Sequence, residues 1–168
     1  VADGDAASAM SQREFVQLIS HDGTIRKYVV IDDNATTVAT GAVLASDTDI
    51  GSTGAGATCA GGIAVAINLT GSAATQNTFL VQLKAAIEGT SGHPGRISVS
   101  AVPTEANGNQ AITLTQTADG GTGNTAITND IAELTKTDFL GGVSRGGWSS
   151  FFLTHTVGSS GNTAVSID

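Results

Sequence analysis

The chain has little sulfur and few cations. A single cysteine, Cys59, among 168 residues excludes an internal disulfide and any zinc site built from cysteines. Seven Lys and Arg face fifteen Asp and Glu, a net charge of -8. A nucleic-acid partner is therefore not expected, because phosphate contacts need clustered cations. No apolar run approaches the ~20 residues that a bilayer span requires. Residues 1–14 carry no apolar stretch, so neither a membrane association nor a signal peptide is expected. Aromatic residues make up only 4% of the chain. Leu, Ile, Val and Phe together are 39 residues of 168, just above the ~20% below which disorder becomes the default. The chain should fold, with a thin core.

Gly, Ala, Ser and Thr supply 84 of the 168 residues, and the length fits one domain. Residues 1–14 are small and polar without a period, an N-terminal arm that is ordered only if something holds it. FVQLIS (15–20) and TIRKYVVI (24–31) are β-branched runs joined by His21-Asp22-Gly23. Asp-Gly between two such runs predicts a hairpin. TTVATGAVL (36–44) could form a strand, a Gly-rich loop follows, and IAVAINL (63–69) reads as a strand. TQNTFLVQLKAAIEG (75–89) places Phe79, Leu80, Leu83, Ala86 and Ile87 on one stripe of period 3.6. This predicts a helix with Thr75 as N-cap, Gly89 just past its end, and Leu83 and Ile87 buried against a sheet. RISVSAV (96–102), QAITLTQTA (110–118) and NTAITND (124–130) alternate and read as half-buried strands. The expected fold is α+β: a mainly antiparallel sheet covered on one face by one amphipathic helix. It comprises a core domain at 15–142, the arm 1–14, and a C-terminal arm at 143–168.

The residues that could carry chemistry are scattered. His21, His93 and His155 lie in a turn, a loop and the C-terminal arm, and none has ligand spacing to a carboxylate. Asp32-Asp33 and Asp47-Thr48-Asp49 could offer oxygens to calcium, but the Asp-x-Asp-x-Asp-Gly pattern is absent and turn roles are expected. Gly120-Gly121-Thr122-Gly123-Asn124 lacks the Lys-Ser/Thr ending of a phosphate loop and opens a strand, not a helix. No Gly-x-Ser-x-Gly elbow occurs, and Cys59 sits in a Gly/Ala loop as a small packed side chain. No enzyme, cofactor or metal is expected.

Several of these segments form an ordered series. Ala86-Ile87 ends the helix and Gly92-His93-Pro94-Gly95-Arg96-Ile97 turns into a strand. Leu114-Thr115-Gln116, Gly123-Asn124-Thr125-Ala126-Ile127 and Phe139-Leu140-Gly141-Gly142 follow, with Asp22-Gly23-Thr24 upstream. The series resembles a domain of structural proteins in tailed bacteriophages, particularly those of aquatic bacteria, and spans about residues 15–142. The resemblance implies a virion role, with other virion subunits as partners.

Three functions then compete. The first is a capsid decoration or cement protein that binds the major capsid protein through its core domain and arms. The second is a tail or fibre component; the third is an extracellular carbohydrate-binding module using exposed rings. A homo-oligomer is expected, with a trimer preferred by analogy with capsid positions. The candidate interface is Trp148, Phe151, Phe152 and Leu153, since three of only seven aromatic residues fall within five positions of the C-terminal arm. SFFLTHTV (150–157) could insert into a neighbouring subunit or return as the last strand of its own sheet. Both remain open at this point.

Overall fold

Asp22 is the reason the first hairpin closes where it does. Its Oδ1 accepts from the Ser20 hydroxyl at 2.7 Å and from the Thr24 amide at 3.0 Å, and its Oδ2 meets Arg96 Nε at 2.6 Å. In this computed structural model, which describes residues 10–34, 37–50, 58–69, 76–104, 109–132 and 134–143, the turn joins β1 (Phe15–Ile19) to β2 (Ile25–Asp32). The two strands pair antiparallel, with Gln17 opposite Lys27. The bonds from Ser20, Thr24 and Arg96 hold the Asp22 carboxyl well below the usual carboxylate range.

The remaining strands are β3 (Ile63–Ile67), β4 (Ile97–Val99), β5 (Leu114–Gln116) and β6 (Thr128–Asn129). One sheet has the order β3-β2-β1-β6, and β4 with β5 form a separate antiparallel pair. The single α-helix described, α1 (Gln76–Glu88), matches the predicted span within one residue at each end. Thr75, its expected N-cap, lies outside the described residues. Phe79, Leu80, Leu83, Ala86 and Ile87 are all buried, as the 3.6 period requires. They pack with Tyr28, Val30, Val65 and Ile97 in the larger core. The architecture is α+β with mostly antiparallel strands.

Two features depart from the expectation. The sheet is covered on both faces, not one: Val29, Ile31, Leu44, Ile50 and Cys59 form a second core opposite the helix. The cause lies in Tyr28-Val29-Val30-Ile31, a continuous apolar run buried throughout. Such a run needs cover on both sides, and β2 pairs parallel with β3, the usual setting for it. Residues 37–44 run beside β3 through bonds such as Ala64 N–H to Ala42 O at 2.9 Å. Only Val43 makes a bridge, because Gly41 turns the backbone at φ +87°. The three later strands are also shorter than their alternating runs.

At the other end, Met10 is buried in the larger core and the Arg13 amide donates to Val30 O at 3.0 Å. The predicted arm is thus held on the sheet from Met10 onward, and residues 1–9 lie outside the described ones.

His93 is fully buried, and its own amide donates to Ile87 O at 2.7 Å, capping α1. Nε2 lies 3.1 Å from Thr24 O, an acceptor only, so Nε2 carries the proton. Nδ1 then accepts from the Tyr28 hydroxyl at 2.6 Å. Burial, aided by Arg26 and Arg96, pushes the His93 pKa below its ordinary 6.5. A second proton on Nδ1 would also take away the acceptor of the Tyr28 hydroxyl proton. Stability should be flat above pH ~6.5 and fall as the pH drops below it, because the unfolded chain takes up the proton first. Urea midpoints between pH 8 and pH 5 check this; His93→Gln should remove the slope, and an unchanged slope in that variant would assign it to another group.

Candidate functional site

Between β5 and the segment 134–143 lies an open groove of about 1000 Å³. Its floor comes from well-separated parts of the chain: Val16 of β1, Leu80 and Leu83 of α1, and Ile127. Ile112 and Leu114 form one wall, while Leu134, Phe139 and Leu140 stand along the other. Leu140 is 75% and Val143 77% exposed, which leaves large apolar side chains at the rim without cover.

The groove is held open by side chains that stand in for backbone. Gln116 Nε2 donates to Ile19 O at 2.8 Å, and its Oε1 accepts from the His21 amide at 2.9 Å. Thr125 Oγ1 donates to the same Ile19 carbonyl at 2.6 Å. One glutamine thereby ties the small sheet to the end of β1. Asn124 does the same for the far wall. Its Nδ2 donates to Gly142 O at 2.7 Å while its Oδ1 accepts from Gly142 N–H at 2.9 Å. Residues 121–123 form a 3-10 turn between these two anchors. Asp138 completes the wall: its Oδ1 accepts from Lys136 Nζ at 2.5 Å and from the Ile127 amide at 2.8 Å. Those bonds, Lys136 first, hold the Asp138 carboxyl below its ordinary value.

The outer backbone edge of β5 faces this groove. Ser100 N–H donates to Thr113 O and Thr117 N–H to Arg96 O, both at 2.9 Å. Thr113, Thr115 and Thr117 therefore turn their backbone groups toward β4. By the alternation of an antiparallel ladder, Ile112, Leu114 and Gln116 turn theirs away from it. Among the described residues, nothing bonds to the outward groups. Chemically, the arrangement offers an open, mostly apolar trough beside a row of amides and carbonyls that are unpaired among the described residues.

Two of the carboxylates singled out from the sequence have structural partners. Asp47 Oδ1 accepts from the Cys59 and Ala60 amides, and Asp32 Oδ1 from the Asn34 and Leu69 amides. Cys59 is buried, and burial pushes its thiol pKa up. No group of three or more His, Cys, Asp or Glu is placed to hold a metal among the described residues, and no described helix is long and apolar enough to cross a membrane. The candidate interface residues Trp148, Phe151, Phe152 and Leu153, with His155, lie outside the described residues. Sequence reasoning missed the far wall, although Leu134, Phe139, Leu140 and Val143 are apolar residues assigned to no strand.

Asn124→Ala should release that wall. It removes two hydrogen bonds, each contributing about 1 kcal/mol. The expected result is faster amide exchange at Phe139 and Gly142 with the β2 amides unchanged; unaltered exchange at Gly142 would show that the wall stands without Asn124.

Compared with known protein families, curated proteins and solved structures, the chain matches none.

Proposed function

We propose that this chain is a structural protein of a tailed-bacteriophage virion, a decoration protein that binds the major capsid shell through its core domain and terminal segments. The observation that carries the reading is where the phage-like motif residues fall. Gln116, Asn124, Gly142, Gly92 and His93 are the joints of the fold: Gln116 ties β5 to the end of β1, Asn124 grips Gly142 in the far wall, and Gly92 and His93 close the end of α1. A motif series placed at joints specifies a framework, and the framework here ends at the rim, at Val143. Homo-oligomers, a trimer at capsid symmetry positions, fit such a role.

Among the described residues the aromatic rings are engaged within the domain. Tyr28, Phe79 and Phe139 are buried, and Phe15 lies under Lys27 Nζ at 4.3 Å. Sugar stacking would need rings from elsewhere.

Imaging purified particles with this protein labelled tests the proposal. Regular density on the shell is the expected result. Label confined to the tail would replace it with the tail or fibre reading, and absence from particles would end the virion reading.

A further inference from the structure

We infer that the groove receives an extended strand of another polypeptide, apolar at alternate positions and cationic at an end, which pairs its backbone with the outer edge of β5. The edge itself points to a polypeptide. Ile112, Leu114 and Gln116 hold out amides and carbonyls that nothing bonds among the described residues. Donors and acceptors alternating along an extended chain are matched by the backbone of a further strand. Proteins usually guard a free edge with lysine, proline or a bulge. Residues 110–118 carry no charge and no proline, and β5 pairs with β4 in unbroken register. Nothing in this edge opposes pairing.

The walls supply the rest of the occupant's chemistry. Ile112 and Leu114 line the trough with Leu83, Ile127 and Phe139. A strand added to the pleat of β5 therefore sets every second side chain over an apolar floor. Exposed Leu140 and Val143 extend that apolar surface to the rim. Of the three charged residues lining the groove, two cancel, since Lys136 pairs with Asp138. The third, Asp119, lies just past the end of β5 and has no hydrogen bond or ion pair among the described residues. It leaves one uncompensated negative charge beside the edge, on a chain of net charge -8. A cation at the end of the incoming strand neutralises it. A second copy would bring the same acid and the same net charge, so a basic strand of a different protein is the better complement.

The inference does not rest on the virion reading. It is tested on the isolated chain, whereas that reading is tested on particles, so each can fail alone. The probe is acetyl-Lys-Thr-Val-Thr-Val-Thr-Lys-amide, whose two lysines let either strand direction present a cation to Asp119. Titrated into the full chain, it should shift the Ile112 and Leu114 amide resonances with half-saturation below ~1 mM. It should also slow their exchange at least ~10-fold, leaving Val29 and Ile31 unchanged. The same peptide methylated at every backbone nitrogen should not bind, having no donors to give the edge. Asp119 is exposed, so Asp119→Asn leaves the fold intact and should raise the half-saturation concentration about threefold, the size of an exposed ion pair. No binding of the parent peptide, or equal binding of the methylated one, would overturn the inference. Unchanged affinity in Asp119→Asn would overturn the cationic end of the occupant. Ile112 and Leu114 amides already protected before peptide is added would overturn it too. Protection independent of concentration would give the groove to this chain itself, and protection that grows with concentration would give it to a second copy.

Discussion

Ile87→Asp should yield no cooperatively folded protein. Ile87 is fully buried at the last turn of α1, in the larger core and away from the groove. An unpaired carboxylate there costs several kcal/mol, a large part of the ~5–15 kcal/mol that holds a domain together. Leu83→Asp should do less harm, because Leu83 is 4% exposed and lines the groove, where water can reach the charge. Circular dichroism melts of both variants check the order. A cooperative transition in Ile87→Asp at the parent temperature would contradict the packing of α1 on the sheet.

The second large effect is expected at a glycine whose φ is ordinary. A Cβ on Gly92 would lie 2.2 Å from Ala86 O and 2.4 Å from Ile87 O. Both are carbonyls of the last turn of α1, and Ile87 O also accepts the His93 amide. Neither can retreat without breaking the helix end. Gly92→Ala should cost about 3 kcal/mol, lowering Tm by roughly 6–12 °C for a chain of this size. Gly95→Ala is the control. Gly95 has φ +68° but open space around its Cβ position, so only left-handed strain applies, about 1 kcal/mol. Equal shifts for the two variants would remove the steric account of Gly92.

The hairpin and the helix were legible because each is written in a local pattern: Asp22-Gly23 between two β-branched runs, and an apolar stripe of period 3.6. Partner choice is not local. Tyr28-Val29-Val30-Ile31 signals a strand buried on both faces, yet nothing in it names β3 as a parallel neighbour. The strands after α1 were placed correctly but read too long, since their Ser/Thr alternation continues past the few residues that find a ladder partner. The groove was illegible because its walls depend on single side chains acting across the fold. Gln116 reaches Ile19 and Asn124 grips Gly142, contacts that no period announces. His93 lies in a loop as its sequence setting predicts, but its burial is not legible there because its partner Tyr28 lies 65 positions away.

The place of β1 between β2 and β6 also sets an order of events during folding. β1 meets β2 across a five-residue turn, so this hairpin can close within microseconds. Its other edge waits for β6, where Gln17 meets Thr128. β3 can join β2 only after the long crossover between Asp32 and Ile63 has closed. Each closure spends chain entropy before its contacts return anything. Until both are complete, the hairpin exposes two bare strand edges, and Val29 and Ile31 meet water. On the ribosome this interval lasts until Thr128 has emerged, several seconds at ~5–20 residues per second. Lys27 and Arg26 project from β2 during that wait, as cations that discourage two nascent hairpins from pairing edge to edge.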